Sequence, residues 1–274
     1  DLKSPRGIIF GPDGDLYVAD HNTPALEGRV ARYDGTTGAY LGDFVALGSG
    51  GLSKPTAAVF GPDSNDDEHL DLYVGSFGTD SVLHYDGTSG AFLGAFVASG
   101  SGGLAGPGGM SFGPDGNLYV ARYFSDQPAV LRFQGPGGAA PGEFIDTFVP
   151  TGSGGLRTCY FVLFGPDGNG DGQLDLYVAD SDFKGVNGKR AGIKRYDGVT
   201  GAFIDTFVAE GSGGFDDPGS PTFTHTDPVT LQYLGAPATH ALVQSVPEPT
   251  CLLLANLGGA AIVLSYSQRR RRKR

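Results

Sequence analysis

The string Phe-Gly-Pro-Asp begins at Phe10 and returns at Phe60, Phe112 and Phe164, at spacings of 50, 52 and 52 residues. A chain repeating at this period is built from copies of one small unit, each unable to bury its apolar face alone. Every copy keeps one order: an apolar run into Phe-Gly-Pro-Asp, then Leu-Tyr-Val, a Tyr-Asp-Gly turn, an aromatic strand ending in Phe-Val, and a Gly-Ser-Gly-Gly string. In the first copy Pro12-Asp13-Gly14 closes a tight hairpin, since glycine takes the positive φ such turns need. Asp34-Gly35-Thr36-Thr37-Gly38 closes a second, slightly longer one. The later copies keep the scheme at Tyr85-Asp86-Gly87 and Tyr196-Asp197-Gly198, and the third deviates with Phe133-Gln134-Gly135.

Each unit therefore reads as four short antiparallel strands. The body shows no sustained apolar pattern at i, i+3, i+4 and i+7, so no crossover helices exist to build a parallel sheet. The fold class is all-β, and radial stacking of four-stranded sheets matches the unit length: a β-propeller. The run from Pro5 to Asp20, followed by Arg29 to Asp34 and Tyr40-Leu41-Gly42, resembles the NHL repeat. The resemblance recurs over residues 5 to about 208 and implies a propeller of about six blades. Four clear units are present, and Asp1 to Pro5 matches Gly51 to Pro55, so blades are expected to precede the first unit and the ring is expected to be incomplete in this chain. Gly214 to Phe223 could start a fifth unit, but Thr224 to Thr239 loses the pattern. The expected organisation is blades over 1–215, a partial blade or linker over 216–245, and a distinct tail over 246–274.

The turn between the first two strands is minimal in the first and third units, at Asp13-Gly14-Asp15 and Asp115-Gly116-Asn117. It is expanded in the second and fourth. There Asp63, Asn65, Asp67 and Asp71, and Asp167, Asn169, Asp171 and Asp175, occupy positions 1, 3, 5 and 9 of two loops. Alternating oxygen ligands wrap one side of a hard cation and a later carboxylate completes the shell, which points to Ca²⁺ as a structural cofactor. The fourth-unit loop resembles the DxNxDG loops of dockerin, thrombospondin-type and integrin-propeller calcium sites. The second places Glu68 where a glycine is expected, which puts its tight turn in question. Asp, Asn and Gly are also what long hairpin turns are made of. His69 reads as a solvated loop residue.

An active site is harder to find. The ends of the second strands are Asp20, Ser76, Arg122 and Asp180, which could form a polar channel mouth or be variable loop ends, and none is a nucleophile with its base. The five histidines share no repeat position, and His21 beside Asp20 is the one neighbouring pair among these candidates. Lactonases of the regucalcin type and streptogramin lyases look like this architecture, so an exported propeller enzyme stands as the alternative to a binding or structural module. Tyr17, Tyr73, Tyr119 and Tyr177, with Phe44, Phe96, Phe148 and Phe207, sit at fixed strand phase and read as core. The Gly-Ser-Gly-Gly strings read as flexible connectors between blades.

The chain ends differently. Val246-Pro247-Glu248-Pro249 precedes a run from Cys251 to Gln268, 18 residues without formal charge, and then Arg269, Arg270, Arg271, Arg272, Lys273 and Arg274. The run is slightly shorter than the roughly 20 residues of a bilayer span and is expected to be an apolar helix. Its basic end stays on the cytoplasmic side, which places the body outside. Proline motif, apolar segment and arginine cluster resemble the PEP-CTERM sorting signal of Gram-negative bacteria, although Cys251 and Asn256 depart from its usually purer apolar segment. The resemblance implies recognition by an exosortase, transient inner-membrane anchoring through 251–268, cleavage near the Pro-Glu-Pro motif, and delivery to the surface or an exopolysaccharide matrix.

Charge agrees with such a destination. The chain carries 19 basic and 30 acidic residues, a net charge of −11; setting aside the six terminal basic residues leaves 13 against 30, a balance of −17. That excludes nucleic acid as an expected partner and suits divalent cations. The two cysteines, Cys159 and Cys251, rule out a disulfide framework, and Cys159 is expected to be a small buried apolar residue.

Overall fold

The computed structural model describes residues 2–21, 27–181, 191–214 and 219–235. Sixteen strands form four antiparallel sheets, each in simple sequential order. The first blade is β1 (Pro5–Phe10), β2 (Leu16–Asp20), β3 (Arg29–Tyr33) and β4 (Tyr40–Val45). The second is β5 (Pro55–Gly61), β6 (Asp71–Ser76), β7 (Ser81–Tyr85) and β8 (Phe92–Val97). The third is β9 (Pro107–Phe112), β10 (Leu118–Arg122), β11 (Ala129–Phe133) and β12 (Phe144–Val149). The fourth is β13 (Phe161–Gly165), β14 (Asp175–Asp180), β15 (Gly192–Tyr196) and β16 (Phe203–Val208). The first strands pack in succession, β1 on β5, β5 on β9 and β9 on β13, so they form the inner layer of a four-bladed propeller.

One aromatic contact repeats at every seam. The tyrosine of each second strand lies between the phenylalanine of its own fourth strand and the Phe-Gly-Pro-Asp phenylalanine of the next blade. Tyr17 meets Phe44 at 4.9 Å and Phe60 at 5.1 Å, Tyr73 meets Phe96 at 4.9 Å and Phe112 at 5.0 Å, and Tyr119 meets Phe148 and Phe164, both at 4.9 Å, all edge-on. Each such pair adds about 0.5–1.5 kcal/mol to the burial of its rings. The leading face of the first blade has no such cover among the described residues: Phe10 is 42 % exposed and Ile8 49 %, whereas Phe60, Phe112 and Phe164 are buried.

The Gly-Ser-Gly-Gly strings are not the flexible connectors expected from their composition. Each forms a 3-10 turn, at Ser49–Gly51, Ser101–Gly103, Ser153–Gly155 and Ser212–Gly214. An aromatic ring from the blade that follows lies over the middle glycine of the first three: Phe92 over Gly50, Phe144 over Gly102 and Phe203 over Gly154. Gly102 has φ +59° and a Cβ there would overlap the Phe144 ring, so glycine is required twice over. The hydroxyls of Tyr85 and Tyr196 donate to the carbonyls of Ser49 and Ser153, both at 2.9 Å, a bond that Phe133 of the deviant third copy cannot make.

Beyond β16 the repeat breaks down, yet Phe223 still meets Tyr177 edge-on at 4.7 Å, as the next blade's phenylalanine would. Asp227 caps a turn by accepting from Val229 and Thr230 N–H, and Leu231 packs against both the core of the first three blades and that of the fourth. Cys159 is buried, and burial pushes its thiol pKa up. The expected apolar helix, the Val246 to Pro249 motif and the basic end from Arg269 to Arg274 lie outside the described residues. Among the described residues no helix is long and apolar enough to cross a membrane.

Candidate cation sites in the second and fourth blades

The two expanded loops join first to second strands and end on Asp71 and Asp175, the opening residues of β6 and β14, which pair with Gly61 and Gly165. Sheet pairing carries both carboxylates inward. Each then folds back onto its loop: Asp71 Oδ2 accepts Ser64 N–H at 2.9 Å, and Asp175 Oδ2 accepts Gly168 N–H at 2.7 Å.

The loops share their remaining bonds. Asp63 accepts the N–H groups of Asp66 and Glu68, and Asp167 those of Gly170 and Gly172. Asn65 and Asn169 accept from Asp67 and Asp171, which accept from His69 and Gln173. Glu68 does not open the second loop: it takes φ +67°, and Asp66 takes φ +62°, where the fourth loop has Gly172 at +82° and Gly170 at +80°. Both acidic residues therefore hold left-handed conformations costing of order 1–3 kcal/mol each. The exposed His69 uses only its backbone N–H here.

What remains unsatisfied is specific. Asp71 is 0 % exposed and Asp175 1 %, and Oδ1 of each is buried without a hydrogen-bond partner. Desolvation raises the Asp175 carboxyl above the usual carboxylate range. The opening aspartates are shifted the other way, Asp167 by the N–H groups of Gly172 and Gly170, and Asp63 by its backbone donors against the opposing effect of desolvation. Among the described residues no Lys or Arg comes within ion-pair distance of Asp63, Asp67, Asp71, Asp167 or Asp171, and Arg195 Nε lies 3.9 Å from Asp175 Oδ2.

The short-loop blades solve the same problem differently. Arg32 pairs with Asp13 at 2.5 Å and Asp15 at 2.7 Å, and Arg132 pairs with Asp115 at 3.5 Å. The hydroxyls of Tyr17 and Tyr119 donate to Asp13 and Asp115, at 2.8 and 2.9 Å. In the expanded blades Tyr73 and Tyr177 donate instead to the carbonyls of Pro62 and Pro166, both at 2.9 Å, leaving the loop carboxylates to themselves. Oxygen-only donors with an excess of negative charge fit Ca²⁺. Among the described residues no three His, Cys, Asp or Glu side chains stand together as a preformed metal cluster, so the three aspartates of each loop would have to draw together on the ion.

The ends of the second strands hold backbone. Asp20 accepts the N–H groups of Lys3 and Ser4, at 3.1 and 2.8 Å, and pairs with Arg29. Ser76 Oγ accepts Ser53 N–H, Arg122 donates to the Gly103 carbonyl, and Asp180 accepts from Arg157 and Thr158 N–H. All four side chains fasten the segment leading into their own blade. Lys194, at a position that is apolar in the other blades, reaches Asp180 at 3.5 Å. His21 has a buried, unpartnered Nδ1, and Asp20 is committed elsewhere, so the two make no catalytic pair.

Sequence reasoning passed over Asp86 and Asp197. The side-chain amides of Asn65 and Asn169 donate to them, both at 3.1 Å, and also to Asp67 and Asp171, both at 3.2 Å. Tyr-Asp-Gly occurs in three of the four units, so the aspartate looked like turn chemistry alone. Strand register was the available signal: Tyr85 pairs with Leu72 and Tyr196 with Leu176, which sets Asp86 beside Asp71 and Asp197 beside Asp175.

No family model matches the chain, and no curated protein matches it. Solved structures do. A hydrazine synthase of Kuenenia stuttgartiensis aligns with a TM-score of 0.54 and 20 % identity over 77 % of this chain and 50 % of its own. A virginiamycin B lyase of Staphylococcus aureus aligns at 0.51 and 18 % over 80 % and 59 %, and the calcium-binding protein regucalcin of Agrobacterium tumefaciens at 0.50 and 16 % over 80 % and 63 %. At these identities the likeness shows the fold, a β-propeller, and the chain spans half to under two thirds of their lengths.

Proposed function

We propose that the chain is an exported binding or structural module, a propeller whose second and fourth blades are stapled by Ca²⁺ and whose tail is a sorting signal. The observation that carries the calcium part is the pair of buried, unpartnered carboxylate oxygens, Asp71 Oδ1 and Asp175 Oδ1, at the ends of two loops with matching bonds. A buried anionic oxygen without a partner costs several kcal/mol, and a bound cation removes that cost. Asp63, Asn65, Asp67 and Asp71 would hold one ion, and Asp167, Asn169, Asp171 and Asp175 the other. The ion would supply charge neutralisation and no chemistry.

The tail supports the rest of the reading through its sequence. An exosortase would act on Val246 to Pro249, with 251–268 in the inner membrane only in passage, and the body would reach the cell surface or an exopolysaccharide matrix. Its partners there would be extracellular polysaccharide or another surface protein, not nucleic acid. The second reading, an exported enzyme of the lactonase or streptogramin-lyase type, draws on the fold likeness to the lyase. It loses support because Asp20, Ser76, Arg122 and Asp180 are occupied in fastening backbone.

Thermal melting with CaCl₂ and with chelator tests the calcium claim. The ion should raise the melting temperature, and Asp167→Ala combined with Asp171→Ala should remove most of the rise. Identical curves with and without chelator would sink it.

A further inference from the structure

We infer that Asp86 and Asp197 are additional ligands of these two sites, so that each cation fastens the first hairpin of its blade to the turn between the third and fourth strands. This rests on the calcium reading above and adds a carboxylate that the loops themselves do not contain. Each of the two aspartates divides its oxygens between two tasks. Asp86 Oδ1 caps its own turn, accepting Thr88 N–H at 3.1 Å and Ser89 N–H at 2.6 Å, while Oδ2 faces the loop and accepts the Asn65 amide. Asp197 does the same, with Oδ1 on Val199 and Thr200 N–H at 3.1 and 2.7 Å and Oδ2 on the Asn169 amide.

Two carboxylates thus converge on one amide in each blade, Asp67 with Asp86 and Asp171 with Asp197, beside a third, Asp71 or Asp175, with a buried and unpartnered oxygen. Like charges gathered this closely repel unless a cation sits among them. The first blade supplies the comparison. Asp34 caps an equivalent turn, accepting Thr36 and Thr37 N–H at 3.1 and 2.6 Å, but its blade has the short loop, and Arg32 neutralises the nearby Asp13 and Asp15. In the second blade, where His84 takes the strand position of Arg32, a divalent ion stands in for that guanidinium; in the fourth, Arg195 keeps the position but pairs with Asp205 at 2.5 Å and stays 3.9 Å from Asp175. A shell that the loop aspartates, the turn aspartate and the amide would complete only by closing on the ion suits Ca²⁺, which accepts flexible geometry, over Mg²⁺, which demands a compact octahedron.

A calorimetric CaCl₂ titration of the full chain decides the matter. The wild-type protein should take up two ions. Asp86→Asn and Asp197→Asn each keep an oxygen to cap the turn, and each should weaken one site by at least about tenfold. Asp34→Asn should leave both sites unchanged. Absence of uptake by the wild-type protein would remove the calcium reading itself. Uptake by Asp86→Asn and Asp197→Asn equal to wild type, or an equal loss in Asp34→Asn, would overturn this inference and leave that reading standing. Melting in chelator confirms that the variants fold, and each blade reports independently should one variant fail to.

Discussion

Phe223 stands edge-on to Tyr177 with ring centroids 4.7 Å apart, filling the seat that Phe60 fills against Tyr17. The chain around it has lost the repeat, but this one contact closes the face that the fourth blade would otherwise leave open. Phe223→Ala should therefore lower stability, by about 2 kcal/mol because the ring is only half-buried, against about 3–5 kcal/mol for Phe112→Ala at the fully buried equivalent. Urea unfolding of the two variants measures the difference, and equal losses would show that the segment after β16 does not seal the blade.

Gly102 and Gly213 occupy the same place in two 3-10 turns, with φ of +59° and +62°, but only Gly102 lies under an aromatic ring. Gly213→Ala should cost about 1–2 kcal/mol for the left-handed backbone alone. Gly102→Ala should add a further ~1–3 kcal/mol for displacing Phe144. Denaturation midpoints of the pair separate backbone strain from overlap.

His21 should make the metal-free protein sensitive to mild acid. Burial first, then the charges of Arg6 and Lys54, lower its pKa, against smaller opposing effects from the Pro55 carbonyl and Asp20. The unfolded chain binds a proton near pH 6.5 that the folded protein refuses, so stability present above that value is lost as pH falls toward the folded pKa. His84, half-buried beside Tyr73, shifts in the same direction, and Asp175 opposes both because its raised carboxyl favours the fold on acidification. In chelator, the urea midpoint should drop between pH 7.5 and 5.5, and His21→Gln should make that drop smaller.

Intact-mass measurement on surface-exposed protein addresses the tail. The expected product ends near Pro249, without the apolar run from Cys251. A surface species still carrying Arg274 would overturn processing.

The propeller was legible because its determinants are local and recur: turn glycines at set offsets, strands of fixed length and a phenylalanine every 50 to 52 residues. The positions of the loop aspartates were legible for the same reason. Asp86 was not, because its relevance comes from strand register, which brings together residues that the sequence holds 15 apart. The second-strand ends misled in the opposite way. Asp20 and Asp180 look like free polar groups at a channel, and only the path of the incoming chain shows them holding backbone. Composition misled at Gly50, Gly102 and Gly154, where glycine serves close approach rather than flexibility. Glu68 shows the limit of motif reading, since a residue unsuited to a turn can be forced into it by the bonds around it.

The aromatic rings over Gly50, Gly102 and Gly154 all come from the blade that follows, never from the one before. The seams consequently overlap in one direction, like tiles laid from one end of a roof. Drawing a blade away from the one before it must therefore also draw its ring off that blade's closing turn, and among the described residues the turn at Gly213 carries no such ring. The lap thus has a polarity along the chain, each of the first three closing turns being held down by the blade that comes after it.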